Sequence, residues 1–298
     1  MLKQLALKYA PGFVLEWAKR MKKDRRRKHL AEQAKVGSGF TSEQLADDLR
    51  KIGIRENDSL LVHSSLSKIG FVKGGPAAVI DALFHVVGPG GTLLFPAFPA
   101  KGRNKDYLDA NDPFDLINTP SAMGSITEYF RKLDGVQRSF HPTDSICAKG
   151  PLAEYYTSTH FGQLTPYNEN SPFRKLCDKG GKILMLGTTL NGACTNLHTL
   201  EDAVDFKFPV YDDKIYEVRM IDGKGNTSLM RTKVHNPEYS AKRNCDALKP
   251  VFEKEGVLVN GKVGEASSML IDANRMLQVM IRYYNEKGVT MYTPFGDQ

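Results

Sequence analysis

The sequence predicts an α/β protein: a mixed central sheet with helices on both faces, plus antiparallel hairpins in the C-terminal third. Three stretches carry that expectation. Residues 59–95 read as strand, loop, helix and strand, the pattern of a parallel crossover. Lys182–Leu186 (KILML) is aliphatic with little polarity and stops at Gly187, as a buried strand does at the edge of a sheet. After Asp202 the pattern changes, and residues 215–221 and 228–234 alternate around Gly223-x-Gly225 as an antiparallel hairpin would.

The chain has 298 residues, enough for one large or two modest domains with a substantial core, and it shows no internal repeat. Cys147, Cys177, Cys194 and Cys245 lie far apart without C-x-x-C spacing, which reads as reduced thiols rather than a disulfide frame or zinc site. No apolar run reaches the ~18 residues of a membrane span, and no signal-peptide core opens the chain. A cytoplasmic location is therefore expected. The formal net charge of +7 is misleading, because residues 1–36 hold eleven Lys/Arg against three acids, a net of +8 that leaves the rest near −1. This composition divides the chain into a basic amphipathic arm, 1–36, and one domain, 37–298.

In chain order, Leu2, Leu5, Ala6, Tyr9, Phe13, Val14 and Trp17 form a helical stripe that Pro11-Gly12 interrupts. KRMKKDRRRK follows the only tryptophan at once. The first reading of this arm is a charged helix docked on the body or extended into solvent. The second is a peripheral contact with an anionic membrane, at the inner face, where each basic residue contributes about 1 kcal/mol. Nucleic acid ranks last and is not expected as a partner. Residues 37–39 look like a hinge, and Thr41-x-x-Gln44 is a capping box opening a helix over 41–52. A strand over 59–63, the Ser64-Ser65-Leu66 loop with Gly70, Gly74 and Gly75, a helix over 76–87 and a strand over 92–95 come next. Residues 99–120 are polar and too long for an ordinary connection, so they read as a substrate-facing loop or lid. Thr119-Pro120 predicts a helix over 121–133, followed by a strand near 146–148, a helix from 150 and a lead-in at 173–178 to the central strand. A second hairpin is expected over 257–263 around Asn260-Gly261, and a last amphipathic helix over 267–285.

Chemistry concentrates at predicted strand ends, where open α/β sheets place their sites. If 195–202 is helical, Thr195, His198 and Glu201 stand three apart on one face, a hydroxyl, an imidazole and a carboxylate suited to moving a proton. A capped helix with a solvated His–Glu pair is the plain alternative. The small residues at 64–75 let backbone amides approach an anionic or carbonyl group, or simply make a turn. Cys194, four residues before His198, lacks a second ligand pair and an acylase elbow, which argues against a thiol nucleophile or a metal. Gly88-Pro-Gly-Gly91 precedes a strand instead of opening a helix, which disfavours a nicotinamide enzyme.

Together, residues 62–98 (VHSSLSKIGFVKGGPAAVIDALFHVVGPGGTLLFPAF), 138–151 (RSFHPTDSICAKGP), 171–187 (SPF…GGKILMLG) and 195–202 (TNLHTLED) resemble the successive motifs of the aminoglycoside 3-N-acetyltransferase family, over roughly residues 40–290. The resemblance implies that family's α/β fold, distinct from the GNAT acetyltransferases, and an acetyl-CoA-dependent N-acetyltransferase needing no metal. It implies a catalytic Thr195, His198 and Glu201, and coenzyme contacts at Ser64, Ser65, Leu66, Arg138, Ser139, His141 and Thr143, with Lys73 beside them. Backbone amides of 64–66 are expected on the thioester and pantetheine, with Arg138 and Lys73 on phosphate.

The acceptor is expected to be a small amino sugar or glycan, met by Asp106, Asp109 and Asp202. Those loop acids alternate with Lys101, Arg103 and Lys105, and a soluble drug needs no membrane anchor. Biosynthetic acetylation of a nucleotide- or lipid-linked amino sugar for a surface glycan is therefore ranked first, and antibiotic inactivation is its close rival. A non-catalytic binding module using the arm on membrane or nucleic acid is the third reading. The oligomeric state stays open.

Overall fold

A computed structural model describes residues 12–100 and 102–296 of the chain. The stripe expected over 2–21 therefore falls largely outside the described residues, as does Lys101. Helix α1 (Gly12–Lys35) carries the basic run, and α2 (Ser42–Ile52) follows it. Thr41 and Gln44 close the expected capping box, and Gly53 ends α2 in the left-handed conformation. Strand β1 (Ser59–Ser64), the single-turn α3 (Leu66–Ile69), α4 (Gly75–Val87) and β2 (Thr92–Pro96) form the anticipated crossover.

The loop over 99–120 contains α5 (Asn104–Asp109) and a two-residue strand, β3 (Phe114–Asp115). The helix expected over 121–133 shrinks to α6 (Ser125–Phe130). Gly124 at φ 100° cannot continue a helix, and Glu128 folds the preceding chain back by accepting from the Ser121 amide at 2.8 Å. Strands β4 (Gln137–Arg138) and β5 (Ile146–Lys149), then α7 (Ala153–Thr157) and α8 (Pro172–Asp178), lead to β6 (Lys182–Leu186). Beyond it come α9 (Leu190–Ala193), a 3₁₀ turn (Thr195–His198) and α10 (Thr199–Ala203). The expected hairpin is β7 (Tyr216–Ile221) with β8 (Thr227–Thr232). Helix α11 (Pro237–Lys242), a 3₁₀ turn (Cys245–Leu248), α12 (Lys249–Lys254), β9 (Leu258–Val263), β10 (Ala266–Asp272) and α13 (Ala273–Lys287) complete the chain.

Two C-terminal expectations are corrected. Asn260-Gly261 is not a turn but the middle of β9, and the hairpin turns instead at Gly264, φ +56°. Gly261 is small because α2 crosses it: an added Cβ would lie 2.8 Å from an Ile52 carbon. Residues 266–272 are a strand, so the last helix begins only at Ala273, where the Asp272 carboxylate caps the Arg275 amide.

The main sheet has the order β4-β5-β2-β1-β6-β10-β9. β2, β1 and β6 are parallel, while β5 and β10 flank them antiparallel, which makes it a mixed sheet. Alternation separates the two faces. Leu61, Ile183, Met185 and Ile271 bury against α8 and α13, whereas Leu60, Val62, Leu184 and Leu186 bury against α2 and α4. A second sheet, β3-β7-β8, has its own small core around Phe114 and Met220. The pairing of His63 with Met185 and of Ser64 with Leu186 brings the carboxyl ends of β1 and β6 out side by side. The Ser65 amide donates to the Leu186 carbonyl at 3.0 Å, so the 64–66 loop and the 187–198 segment leave the sheet together.

Candidate active site

His198 sits in this segment. A 3₁₀ turn stacks Thr195 and His198, three apart, more nearly in line than an α-helix would. The next turn, α10, brings Glu201 back to the imidazole. Nδ1–H of His198 donates to Glu201 Oε1 at 2.8 Å. Oε1 also accepts from the Tyr292 hydroxyl at 2.6 Å, and Oε2 accepts from His235 Nε2–H at 2.7 Å. On the outer side of the ring, an Arg243 N–H donates to His198 Nε2 at 2.9 Å. The chain Glu201–His198–Arg243 thus fixes one tautomer, with the lone pair on Nε2.

Both members of the pair are 5% exposed. Burial pulls the His198 pKa down to about 4, against the opposing pull of Glu201, so the ring is neutral near pH 7. Burial alone would raise Glu201, but His198 and His235 with their hydrogen bonds outweigh it and hold the carboxyl below its usual range. Aromatic rings frame the pair: Tyr167 lies 5.0 Å from the His198 ring, and Tyr211 stacks on His235 at 4.8 Å. The nitrogens of His198 and His235 and the Glu201 carboxylate fall within 4.8 Å of one another, a spacing that a metal ion can also use. In this arrangement both imidazoles hydrogen-bond the carboxylate.

The imidazole faces a cavity of about 580 Å³, lined among others by His63, Phe98, Asn104, Asp144, Tyr167, Cys194, Thr195, His235, Arg243 and Cys245. Thr195 Oγ1 is buried there without a hydrogen-bond partner among the described residues, as is His63 Nε2. An orphaned buried hydroxyl is costly unless a ligand satisfies it. Burial pushes the Cys194 thiol well up and the Cys245 thiol to about 11, so neither is a nucleophile.

A second cavity, about 470 Å³, is walled by Ser64, Ser65, Leu66, Ser67, Phe71, Gly75, Gly124, Ser125 and Leu30 of α1. The two cavities share a partition: His63 and Met123 face the first, and their chain neighbours Ser64 and Gly124 face the second. A Cβ built at Gly75 or Gly124 would meet nothing within 4 Å, so both glycines leave open space for a ligand.

The structure moves several expected binding residues elsewhere. Arg138 lines neither cavity. Its guanidinium donates to the carbonyls of Ala97 and Thr119 at 2.6 Å and to Ser145 Oγ at 3.1 Å, and it lies over the Phe114 ring. Burial lowers its pKa to about 10, and its donors are spent on the protein itself. Ser139 accepts from the Ile146 amide and pairs with His160 Nδ1, while His141 stacks on His160 at 4.4 Å. Thr143 donates to Asp144 at 2.6 Å. All three are fully buried, so this segment braces the site from behind. Lys73 is exposed beside the second cavity. Asp106 pairs with Arg103, which lines the first cavity, and Asp109 with Lys105 and Lys214; neither carboxylate is itself on the cavity wall. Asp202 accepts from Tyr211, and burial raises its pKa to about 6; it does not reach the cavity wall.

The buried imidazoles make stability depend on pH. Burial lowers His63 and His160 to about 3 and His198 to about 4, and holds His141 well below the usual value. The unfolded chain therefore binds protons at these sites between about pH 6.5 and 4 that the fold refuses. Asp202 and Asp144, both raised by burial, act with the opposite sign. The balance is about two protons, so unfolding free energy is expected to fall by roughly 2–3 kcal/mol from pH 6 to pH 5. Denaturant titrations at the two pH values measure it, and a flat result would show that the imidazoles are not held neutral.

A carboxylate-oriented, neutral imidazole thus stands at the carboxyl end of a mixed sheet, on the wall of the first of two adjoining cavities. The family model for aminoglycoside 3-N-acetyltransferases matches residues 61–285, and the chain belongs to that family, which makes it an N-acetyltransferase. It is 29% identical to aminoglycoside N(3)-acetyltransferase III of Salmonella sp., over 85% of this chain and 95% of that one. It is also 29% identical to aminoglycoside N(3)-acetyltransferase IX of Micromonospora chalcea, over 84% and 95%. Among solved structures it superposes on AAC-IIIb in binary complex with CoASH, with a TM-score of 0.71, 29% identity, and coverage of 84% and 97%. With aminoglycoside acetyltransferase AAC(3)-Xa the TM-score is 0.75 and the identity 26%, over 90% and 98%. These relatives carry the names of antibiotic-modifying enzymes, so they favour the rival of the surface-glycan reading.

Proposed function

We propose that this chain transfers the acetyl group of acetyl-CoA to an amino group of an aminoglycoside-class amino sugar, with His198 as general base. One observation carries the reading: Nε2 of a carboxylate-held neutral imidazole looks into a cavity that shares a wall with the 64–66 loop. Acetyl-CoA suits that pair of spaces. The Ser64–Leu66 cavity, kept open by Gly75 and Gly124, has room for a pantetheine arm, and the partition would bring the thioester to the His198 side.

An amino sugar arrives largely as an ammonium, which has no lone pair to attack with. Nε2 takes a proton, nitrogen adds to the acetyl carbon, the C–N bond forms and the C–S bond breaks. The coenzyme thiolate leaves and is protonated, and the second amine proton ends in solvent. Glu201 stabilises the imidazolium formed on the way. Thr195 Oγ1, unpartnered on the same wall, is placed for the acceptor or the tetrahedral oxygen. Arg243 stands where the acceptor ammonium must come, so acceptor binding displaces it from Nε2.

A second reading has support of its own. Arg103 and Arg243 line the acceptor cavity, and Asp144 is its one lining carboxyl among the described residues. Asp144 is already engaged by Thr143, Tyr167 and Asn104. A polycation gains little there, whereas an amino sugar linked to phosphate would meet Arg243 and the Arg103 that Asp106 partly neutralises. CoA release measured in parallel with sisomicin and with amino-sugar nucleotides separates the two. Turnover of sisomicin alone is the expected result; turnover of the nucleotide sugars alone would overturn it.

A further inference from the structure

Helix α1 lies outside residues 61–285, which match the family model, and it is fastened to the body. His29 Nε2 and Gln33 Nε2 both reach the Glu265 carboxylate, at 2.9 and 2.6 Å, and Gln33 Oε1 accepts from the Phe71 amide at 2.9 Å. These bonds set the face that α1 turns inward. Leu30 on that face closes a wall of the second cavity. Lys22, Arg26 and Leu30 follow one another at i, i+4 spacing, so the two cations continue the Leu30 stripe along α1 from the point where it walls the cavity.

Lys68, half-buried on α3 between Ser67 and Ile69, meets that stripe. Burial lowers its pKa, and the positive charges of Arg26 and Lys22 lower it further. None of the three forms an ion pair with a carboxylate among the described residues. Like charges held together without a counter-ion are unfavourable until an anion joins them. The 13-residue helix α4 starts at Gly75 on the same cavity, adding the positive end of its dipole.

We propose that α1 is part of the coenzyme site: Lys22 and Arg26, with Lys68, form a cationic rim on the Leu30-walled cavity and hold phosphate groups of the coenzyme's nucleotide end. This rests on the assignment of that cavity to the pantetheine arm. The arm then serves as a fixed clamp on the domain, and the basic run does its work beside the active site. A phosphate brought there gains charge-assisted hydrogen bonds from guanidinium and ammonium together.

The test titrates the full chain calorimetrically with CoA, 3′-dephospho-CoA and pantetheine, comparing wild type with K22E/R26E and with K22A/R26A. Alanine favours the helix, so the second variant keeps α1 intact if charge reversal loosens it. The expected result is that the double reversal weakens CoA about tenfold or more and the alanine pair severalfold, with pantetheine unchanged. Raising salt from about 50 to about 300 mM should weaken CoA more in wild type than in either variant. An equal loss for CoA and 3′-dephospho-CoA assigns the rim to the diphosphate, and a loss for CoA alone assigns it to the 3′-phosphate. Unchanged CoA affinity in both variants overturns the proposal, as does an equal loss of pantetheine. The acceptor reading fails separately: wild type would bind CoA normally yet acetylate neither class of amino sugar.

Discussion

Replacing His198 with alanine is expected to lower kcat at least about a hundredfold while leaving CoA affinity nearly intact, because a positioned general base contributes about 10²–10⁴ in rate. The asymmetry follows from the site. His198 faces the first cavity, and the residues that wall the second are on other elements. Truncation leaves Glu201 still held by His235 and Tyr292, with Arg243 free to turn toward its carboxylate, so the fold has a way to satisfy the charge. The decisive measurements are kcat under saturating acceptor and a CoA titration of the same preparation. Near-normal turnover would remove His198 from the mechanism, and parallel losses in kcat and CoA binding would mean that the ring is structural.

Glu201→Ala is expected to damage both stability and turnover. The carboxylate is the common acceptor for His198, His235 and Tyr292, three donors reaching one buried group. Removing it strands them and leaves Arg243 without the negative charge that balances it through the imidazole. Taking one partner out of a buried charged network costs about 3–5 kcal/mol, and the lost tautomer control should cut kcat by about the general-base factor. Glu201→Gln divides the two effects. The amide keeps the shape and one acceptor oxygen, but its NH₂ cannot accept, so either the Oε1 pair or His235 loses its bond. Stability should fall less than in the alanine variant while kcat stays low. Urea denaturation with initial rates on both variants checks this, and wild-type stability in Glu201→Ala would show the network to be dispensable.

The framework was legible where a local signal decided the structure. The capping box at Thr41 and Gln44, the aliphatic runs of β1 and β6, and the spacing of Thr195, His198 and Glu201 each speak within one or two turns of chain. Misreadings fell where distant partners decided. Residues 266–272 look like the start of an amphipathic helix, but insertion between β6 and β9 makes them a strand. Gly261 reads as a turn because the helix that crosses it, α2, lies some two hundred residues earlier. Half the site was invisible for the same reason. His235, Arg243 and Tyr292 reach the His198–Glu201 pair from 34, 45 and 91 residues away, and no spacing rule connects them. Arg138 misled in the other direction, since an arginine at a strand end invites a phosphate while this one is spent on backbone carbonyls.

The cysteines on the acceptor-cavity wall bear on durability. If each turnover frees a coenzyme thiol next to Cys194 and Cys245, an exposed thiolate on that wall would trade into mixed disulfides whenever the coenzyme pool turned oxidised. Burial holds both sulfurs in the protonated form, Cys194 most of all. The chamber can therefore handle a sulfur leaving group repeatedly without being capped by it.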